Sequence, residues 1–386
     1  MANKFPRRVL IVERRLTHYR VPLYERLRRL LAEREIEFML LVGKATSEEL
    51  ARRDGGHLSW ATVIPTHYFL SGAVCWQQFG GHLRRVDLLV VNHQNKLLHN
   101  HWLLCAPRRW KLALWGHGRN MQTDATNGIR ERFRRWTISK ADWYFAYTQI
   151  SCDVVAKAGF PTARITNLNN TIDTSGSCRD RDSVSKQEIA LLKTNLGIAG
   201  KPVGVFIGSL YALKRLDFLF EACRRVRQRL PEFQCLIMGD GVEGTKVQEW
   251  ASAHDWVHWV GARRGREKAL YLGCADLMLN PGMVGLGILD SFVFGIPMIT
   301  TDCGIHSPEI AYLKPDENGL MTLDDVGTYA LAVSALLGDP VALARMRQAC
   351  VSSAGQYSIE NMAARFADGI ATALASPRSR RSLFDL

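Results

Sequence analysis

The chain has 386 residues, of which 47% are hydrophobic and 23% charged. This is ordinary globular composition and excludes a chain that is disordered throughout. The length exceeds one ordinary core and predicts two domains of about 150–200 residues each. No apolar run approaches the roughly 18 residues of a membrane span, and the N-terminal stretch lacks the apolar segment of a secretory signal, so we expect a cytoplasmic protein.

The charge is concentrated in one half of the chain. The formal net charge is +13, and residues 1–200 hold 31 basic and 17 acidic residues, whereas residues 201–386 hold 19 and 20. A basic half attracts nucleic acid, an anionic membrane surface or a phosphorylated substrate; an arginine-rich composition without function is the alternative. The nine cysteines form no CxxC pair, which is typical of a reduced cytoplasmic protein.

Short apolar runs alternate with helical patterns in the first half, which predicts a parallel sheet. The predicted strands are residues 8–12, 36–42, 86–92, 111–115, 143–147 and 163–168, with basic helices at 21–35 and 127–141.

A polar, irregular stretch at 174–185 is the best linker candidate, and the alternating pattern then restarts. Further strands are predicted at 203–207, 234–238, 256–260, 277–280 and 297–300, and helices at 217–229, 286–294, 326–337, 340–357 and 360–374. The predicted organisation is an N-terminal domain (1–173), a linker (174–197), a C-terminal domain (198–357), a last helix (358–375) and a mobile basic tail (376–386).

The first chemical motif directly follows a predicted strand and reads Gly208-Ser209-Leu210-Tyr211-Ala212-Leu213-Lys214-Arg215. Such a turn lets backbone N–H groups face a phosphate, with Lys214 as a point charge. A strand-ending glycine followed by a solvated Lys-Arg pair is the alternative interpretation.

The second motif precedes a predicted helix and reads Asn280-Pro281-Gly282-Met283-Val284-Gly285-Leu286-Gly287. Its three glycines allow the backbone close to a ligand, and Asp290 in the helix could accept hydrogen bonds from ribose hydroxyls. Glycines for tight packing and an ordinary first-turn carboxylate are the alternative.

Several weaker pieces complete a recognisable order. They are Met238-Gly239-Asp240-Gly241, Val257-His258-Trp259-Val260-Gly261, Tyr271-Leu272-Gly273-Cys274-Ala275-Asp276, Gly295-Ile296-Pro297, and Thr301-Asp302-Cys303-Gly304 with Glu309. With these motifs, residues 203–320 resemble the retaining glycosyltransferases of family 4, which have the GT-B fold. Asn169-Asn170-Thr171-Ile172-Asp173 is similar to the family's element before the linker.

The resemblance implies an α/β protein of two Rossmann-like, doubly wound domains facing each other across a cleft, with a C-terminal helix that crosses back to the N-terminal domain. The C-terminal domain would bind a nucleoside-diphosphate sugar and the N-terminal domain the acceptor. The implied diphosphate-binding residues are Gly208, Ser209, Lys214, Arg215, Val284, Gly285 and Leu286. The implied sugar and ribose residues are Gly282, Asp290 and Glu309, and those for the nucleobase are Gly261 and Arg263.

The chain departs from the family pattern at two positions that matter. Ser209 stands where the family has the arginine of the phosphate turn, and Gly282 stands where it has the first glutamate of a pair. The second glutamate is replaced by Asp290, which is shorter by one methylene. Gly282 therefore leaves the identity of the sugar open, whereas Asp290 keeps a ribose contact.

Two N-terminal segments resemble the acceptor side of the family. His117, in Trp115-Gly116-His117-Gly118-Arg119-Asn120, resembles the family's cleft histidine, so His117 and Lys214 are the predicted catalytic residues. Thr17-His18-Tyr19-Arg20 follows the first strand and predicts His18, Tyr19 and Arg20, with Arg119, as acceptor residues. A structural histidine and a segment that caps the first helix are the alternatives.

No cofactor or metal is expected beyond the nucleoside-diphosphate sugar. The resemblance implies a metal-independent reaction. His93, His99 and His101 lack a cysteine or carboxylate partner for a metal, so histidines on a polar loop are the plainer interpretation.

The resemblance therefore implies a retaining glycosyltransferase that transfers a sugar to a hydroxyl acceptor. As a further hypothesis, the basic N-terminal half suits a lipid-linked glycan as this acceptor, in the assembly of bacterial surface polysaccharide. The basic helices, with Phe133 and Trp136, predict a peripheral face for the inner surface of the membrane. The alternatives are a sugar-nucleotide epimerase of the same architecture, or a basic nucleic-acid- or membrane-binding protein with a degenerate donor site. No nucleic acid partner is expected, because the chain has neither an RNA-recognition aromatic motif nor a zinc module.

Overall fold

The computed structural model describes residues 7–51, 54–118 and 129–379, and it divides into two compact units. Unit 1 consists of Met1–Asp173 and Ile359–Leu386, and unit 2 of Thr174–Ser358. Each unit is an α/β structure around a parallel sheet, as the alternating apolar and helical pattern predicts.

Unit 1 contains a seven-stranded parallel sheet and a separate antiparallel hairpin. The strands are β1 (Arg7–Glu13), β2 (Ile36–Val42), β3 (Thr62–Val63), β4 (Thr66–Phe69), β5 (Val74–Gln77), β6 (Leu88–Asn92), β7 (Lys111–Gly116), β8 (Trp143–Ala146) and β9 (Ile165–Asn167). Their order in the sheet is β3-β2-β1-β6-β7-β8-β9, and β4 pairs with β5. The helices are α1 (Val21–Ala32), α2 (Ser47–Ala51), α3 (Leu98–Cys105), α4 (Ile129–Ser139) and α5 (Gln149–Lys157).

The central strand of unit 1 is buried on both faces. Val9 and Ile11 of β1 join one apolar cluster, whereas Leu10 and Val12 join another on the opposite face. Successive side chains of a strand point to opposite faces, so a sheet covered on both sides requires the unbroken apolar run that the sequence shows here.

Unit 2 has a six-stranded parallel sheet in the order β12-β11-β10-β13-β14-β15. Its strands are β10 (Val203–Ile207), β11 (Gln234–Met238), β12 (Val257–Gly261), β13 (Leu277–Leu279), β14 (Met298–Thr301) and β15 (Gly319–Thr322). Its helices are α6 (Thr174–Asp182), α7 (Lys186–Asn195), α8 (Leu216–Arg229), α9 (Gly244–Ala253), α10 (Gly265–Leu272), α11 (Ile288–Phe294), α12 (Val326–Leu337) and α13 (Pro340–Gln356).

Both sheets reverse their strand order beside their first strand. β1 lies between β2 and β6, and β10 lies between β11 and β13. At such a switch point the connections leave in opposite directions, which opens a crevice at the carboxyl ends of the strands where ligands bind. Each unit therefore offers one favoured ligand-binding edge.

The last helix, α14 (Ile359–Ala375), packs within unit 1 rather than with the preceding residues of unit 2. Phe366 is fully buried, with its ring centroid 5.0 Å from that of Trp115 and 4.6 Å from that of Phe145. A Cβ atom at Gly369 would lie 2.5 Å from Oγ1 of Thr166. Glycine at this position therefore lets the helix backbone lie directly on the sheet.

The prediction of an irregular linker at 174–185 was wrong, because residues 174–182 form α6 and Ser185 caps α7. The side chain of Ser185 accepts a hydrogen bond from the backbone of Glu188, and the Glu188 carboxylate accepts one in return from the backbone of Ser185. Helix α6 packs on α10 and α11, and Arg181 donates to the carbonyl of Val293 at 2.7 Å. Tertiary packing outweighs the weak helix propensity of the polar sequence.

The prediction of a mobile tail was wrong for its first residues. The ammonium of Lys111 donates to the carbonyl of Ser376, Arg378 donates to the carbonyl of Arg108, and the amide of Ser379 donates to Asp142. These bonds attach residues 376–379 to unit 1. The rest of the predicted tail, 380–386, lies outside the described residues.

Among the described residues no single helix is long and apolar enough to cross a membrane. One helix pair bent by 95°, Val326–Leu337 with Pro340–Ala375, meets the length and composition requirement jointly.

Candidate functional site

The turn after β10 lies at the switch point of unit 2 and buries a lysine. The chain leaves the strand through Gly208, which has φ +151°, and forms a short 3-10 helix, Ala212–Lys214. Lys214 is only 8% exposed, and its ammonium donates to the carbonyl oxygen of Met283 at 2.6 Å. Burial lowers the pKa of Lys214 to about 8. A partly desolvated ammonium interacts more strongly with an incoming anion than an exposed one does.

A second glycine turn, after β11, packs against the first. A Cβ atom at Gly239 would lie 1.9 Å from the carbonyl oxygen of Gly208, and one at Gly241 would lie 2.4 Å from that of Leu210. The indole of Trp259 donates to the carbonyl of Gly239 at 3.0 Å. Both positions therefore require glycine so that the two turns can touch.

Gly282 lies against the lysine turn and leaves no room for a side chain. A Cβ atom here would be 2.4 Å from the carbonyl oxygen of Leu213 and 2.6–2.7 Å from the backbone of Lys214. The structure therefore gives Gly282, predicted as a sugar-binding position, a packing role. A glutamate like that of the family would need a shift of the backbone.

The predicted diphosphate amides differ in their availability. The N–H of Val284 donates to Nδ1 of His306 at 3.1 Å, and Nε2 of His306 lies 2.7 Å from the carbonyl oxygen of Thr301. The prediction of Val284 as a diphosphate donor is therefore corrected, because its amide already has an acceptor. The amides of Gly285 and Leu286 have no acceptor within the described parts of the chain, so these two remain able to bind a ligand.

Asp290, the predicted ribose ligand, forms an ion pair that the sequence did not reveal. Its carboxylate lies 2.7 Å from Nζ of Lys268 on α10, and both side chains are largely buried. One carboxylate oxygen is held by this pair, which leaves the other for a hydroxyl donor. Glu309 is also buried, at 3% exposure, in the 3-10 helix Pro308–Tyr312.

Arg215 holds the lysine turn in place rather than standing free for a phosphate. It has a left-handed backbone, with φ +57°. Its guanidinium contacts the carboxylate of Asp324 and the hydroxyl of Thr301. These contacts engage Nη1 alone, and the diphosphate contact of Arg215 stays a prediction for the other guanidinium nitrogens. Ser209 is exposed at the start of the turn.

The predicted nucleobase residues lie beside the second glycine turn. The carbonyl of Gly261 accepts from the amide of Gly239 at 3.0 Å. Arg263 donates to the carbonyl of Val260 at 2.8 Å and pairs with Glu267 at 3.1 Å. Arg263 is thus fixed locally, and Gly261 is placed next to the turn that supports the lysine.

In unit 1 the switch point holds a cavity of about 150 Å³. Its walls come from the ends of β1 and β6 and from the segments that follow β1 and β8, namely Glu13, Arg14, Arg15, Thr17, Tyr19, Arg20, Asn92, Gln94 and Tyr147. Two predicted acceptor residues, Tyr19 and Arg20, are therefore in its lining.

His117 lies next to this cavity. Its ring is 4.2 Å, centroid to centroid, from that of Tyr147, which also faces the guanidinium of Arg20 at 5.7 Å. Burial, together with the nearby charge of Arg20, lowers the pKa of His117 to about 4. The imidazole is therefore neutral at pH 7, and its Nδ1 is buried without a partner among the described residues.

His18, another predicted acceptor residue, is not part of the lining of the cavity. His18 is exposed and its Nδ1 lies 3.1 Å from the carbonyl oxygen of Asp54. Arg119 lies outside the described residues.

Comparison with known proteins agrees with this architecture. Residues 201–339 match the family described as glycosyl transferases group 1. Over 95% of its length the chain superposes on 100% of an Anabaena protein, HepE, crystallised with UDP, with a TM-score of 0.68 and 15% sequence identity. The chain has the GT-B fold. The group 1 domain includes the lysine turn, the glycine loop and Asp290 of this GT-B chain.

Two curated relatives of the GT-B chain have names that describe them as sugar transferases. One is an alpha-D-kanosaminyltransferase from Streptomyces kanamyceticus, 25% identical over 252 residues, or 61% of each chain. The other is a GDP-mannose-dependent alpha-(1-6)-phosphatidylinositol monomannoside mannosyltransferase from Mycolicibacterium smegmatis, 27% identical over 215 residues, which are 52% of this chain and 53% of that protein. The chain spans between half and two thirds of the length of these relatives.

Sequence reasoning missed several residues of the candidate sites in both units. Lys268 pairs with Asp290, and His306 accepts from the amide of Val284. No local sequence pattern marks either residue, because each contact forms only in the tertiary structure. Glu13, Asn92 and Gln94 could have been found, because polar residues directly after buried strands favour a binding edge.

The three clustered histidines have separate environments in the GT-B chain. His93 contacts the hydroxyls of Tyr144 and Thr137, and His101 lies 2.9 Å from the carbonyl oxygen of Asn95. The ring of His99 packs against that of Phe79 in a tilted arrangement, with the centroids 4.0 Å apart. Within residues 7–51, 54–118 and 129–379, no group of three or more His, Cys, Asp or Glu side chains is placed to hold a metal.

Proposed function

We propose that this chain is a retaining, metal-independent glycosyltransferase that uses a nucleoside-diphosphate sugar as donor. The observation that carries the proposal is the buried ammonium of Lys214 in a glycine turn at the switch point of unit 2. The amides of Gly285 and Leu286, which have no acceptor among the described residues, belong to the loop that Lys214 contacts. The group 1 match and the named transferase relatives support the same class.

In this proposal Lys214 stabilises the leaving diphosphate. Negative charge grows on the diphosphate as the bond to the sugar breaks, and a preorganised cation in a partly dry site is worth more there than in water. Asp290 accepts from a ribose hydroxyl with the oxygen that Lys268 leaves free, and Glu309 helps to order the donor. Unit 1 supplies the acceptor site, and neutral His117 contacts the sugar or the acceptor.

The epimerase alternative has less support. An epimerase needs acid and base carboxylates at the sugar, whereas position 282 is a glycine packed against the backbone of Leu213 and Lys214.

Nucleotide binding tests the donor site directly. Thermal unfolding is measured with UDP, GDP, dTDP, ADP and CMP for the wild type, Lys214→Ala and the control Lys201→Ala. Lys201 lies at the amino end of β10, the opposite edge of the sheet, and pairs with Glu232. A ligand at about a hundred times its dissociation constant stabilises by roughly 2.7 kcal/mol.

We expect one nucleotide to raise the melting temperature of the wild type and of Lys201→Ala by several degrees, and of Lys214→Ala much less. The absence of any response in the wild type would reject the donor site.

We further propose a lipid-linked glycan as acceptor and the inner membrane surface as its location. The support is the surface of α3 and α4, where Leu98, Trp102 and Phe133 are 43%, 50% and 40% exposed beside exposed Arg132 and Arg135. The basic face of α1 contributes less than its sequence suggests, because Arg26 and Arg34 pair with Glu360 and Asp368 of α14.

Flotation with anionic vesicles tests the membrane proposal. We expect co-flotation at low salt and its loss at high salt, since exposed charges are screened. Equal recovery on neutral and anionic vesicles would contradict it.

A further inference from the structure

The cavity of unit 1 is small and lined by polar side chains, and its volume limits the size of the group that it can hold. It measures about 150 Å³, below the roughly 300–1,000 Å³ of sites that enclose a whole small molecule. It therefore accommodates one chemical group of a larger ligand. The cavity lies at the switch point between β1 and β6, where the fold favours ligand binding.

Two of the three arginines in the lining already have carboxylate partners. Arg14 donates to both oxygens of Glu49 and to the hydroxyl of Tyr68. Arg15 forms a two-pronged pair with Asp54, with N···O distances of 2.7 and 2.8 Å. Their charges are balanced by the protein itself.

Arg20 is different. It is 7% exposed, and its single described hydrogen bond is a 3.9 Å contact from the guanidinium to the sulfur of Met362. Among the described residues no carboxylate accepts a hydrogen bond from it, although the charge of Glu13 acts on it through space. A buried guanidinium without an anionic partner is rare, because desolvation of its charge is costly.

Aromatic rings fix the orientation of this guanidinium. Its central carbon lies 4.9 Å from the ring centroid of Trp115, 5.4 Å from Tyr19 and 5.7 Å from Tyr147. Rings packed around a guanidinium stabilise the cation and hold its plane. The donors at the edge of the plane are therefore preorganised before any ligand binds.

The carboxylate of Glu13 does not take the place of the missing partner. It accepts a hydrogen bond from the hydroxyl of Tyr24, and burial raises its pKa, although the charge of Arg20 opposes this shift. No hydrogen bond joins Glu13 to Arg20 among the described residues. Asn92 and Gln94 line the same cavity with uncharged polar side chains.

We propose that Arg20 binds an oxyanion of the acceptor, a carboxylate or a phosphate group, in the cavity of unit 1. The inference rests on the proposed function, which assigns acceptor binding to this unit. A guanidinium matches either oxyanion with two parallel hydrogen bonds. A neutral acceptor would leave the buried cation unpaired, so the cavity selects acceptors that carry a negative charge.

Binding of small probes tests the proposal on the full chain. Titrations with inorganic phosphate, glucuronate and glucose are followed by NMR for the wild type, Arg20→Lys, Arg20→Met and Arg28→Met. Arg28 is the matched control, because it also contacts an aromatic ring, Trp60 at 4.7 Å, but lies exposed on α1. Lys214→Ala removes anion binding at the donor turn of unit 2.

We expect phosphate or glucuronate to bind the wild type, Arg28→Met and Lys214→Ala alike, and Arg20→Lys at least tenfold more weakly, since lysine lacks the planar fork. Tighter phosphate binding identifies a phosphorylated acceptor, and tighter glucuronate binding a carboxylated one. If Arg20→Met fails to fold, Arg20→Lys, which keeps the charge, decides. Unchanged binding in Arg20→Lys, equal binding of glucose, or no anion binding by the wild type overturns the proposal.

A parallel UDP titration separates this inference from the proposed function. A UDP response that persists in Arg20→Lys while anion binding is lost supports both. A UDP response in a wild type that binds neither anion rejects only the oxyanion site, whereas the absence of any nucleotide response rejects the proposed function.

Discussion

The ammonium of Lys214 donates a 2.6 Å hydrogen bond to the carbonyl oxygen of Met283. This bond joins the turn after β10 to the loop after β13, the two strands on either side of the switch point in unit 2. The amide of Met283 donates in turn to the carbonyl of Leu213 at 2.8 Å. The lysine is thereby fixed by the loop whose amides it would share with a diphosphate.

A side chain at Gly282 would disturb this contact. Gly282→Ala places a Cβ atom 2.4 Å from the carbonyl oxygen of Leu213. We expect it to lower the free energy of unfolding by about 1–3 kcal/mol, as overpacking does, and to weaken nucleotide binding. The control is Gly287→Ala in the same loop, where a Cβ atom meets nothing within 4 Å. Urea unfolding of both variants checks this; equal stability of the two would contradict the packing role of Gly282.

Burial of Lys214 predicts two pH effects of opposite sign. Its pKa is lowered from 10.5 to about 8, so between these values the unfolded chain binds more protons than the folded one. The contribution of Lys214 to the free energy of unfolding therefore rises with pH across this window. Nucleotide affinity falls at high pH, because the neutral amine no longer attracts the diphosphate.

Urea unfolding and nucleotide titration from pH 7 to pH 10.5 measure both effects. Lys214→Met, which cannot titrate, serves as the reference for each. A wild type that follows the same pH profiles as Lys214→Met would show that the lysine titrates normally.

Variants of the Asp290–Lys268 pair distinguish a structural role of Asp290 from ribose binding. Asp290→Asn leaves Lys268 unpaired in a largely buried site, and we expect a loss of about 1–3 kcal/mol of stability, less than for a fully buried pair. Lys268→Met keeps the carboxylate, so it should retain more nucleotide binding than Asp290→Asn. The double variant gives the coupling energy. If both single variants lose nucleotide binding equally, the ribose role of Asp290 fails.

A substitution at Gly369 tests how closely α14 approaches the sheet of unit 1. Alanine normally stabilises a helix by up to about 1 kcal/mol relative to glycine, but a Cβ atom here would lie 2.5 Å from Oγ1 of Thr166 and 2.7 Å from the ring of Phe145. We therefore expect Gly369→Ala to destabilise the protein by about 1–3 kcal/mol. Gly355→Ala in α13, where a Cβ atom meets nothing within 4 Å, should be neutral or stabilising. Melting temperatures that change in the same direction for both variants would contradict the close approach of α14 to the sheet.

Much of the fold could be predicted from local patterns. The run Val9–Val12 is apolar at every position, which indicates a strand covered on both faces, and the structure confirms it. Helix α6 was missed because its sequence carries no apolar periodicity; it forms by packing on α10 and α11, which lie about a hundred residues further along the chain.

In the candidate site, too, some features follow from local sequence patterns and others only from tertiary contacts. Glycines such as Gly208 and Gly239 could be identified from sequence, because a strand followed by glycine predicts a turn that admits close backbone contact. The sequence could not show that the amide of Val284 is bound by His306, or that Arg26 pairs with Glu360. Such partners are set by distance in space, and no pattern around either residue encodes them.

The sequence by itself determined the parallel α/β class, the two glycine turns of unit 2 and the candidates Lys214 and Asp290, because strand periodicity and turn chemistry are local properties. Arg20 became a candidate through the family resemblance of the segment that follows the first strand. Only the tertiary structure decided which of these groups remain available to a ligand. Lys214 and Arg20 lie buried at the switch points of their sheets, whereas Arg14, Arg15 and Arg215 have carboxylate partners. The physical reason is that desolvation and pairing depend on segments far apart in the chain, which meet only when the sheet is assembled.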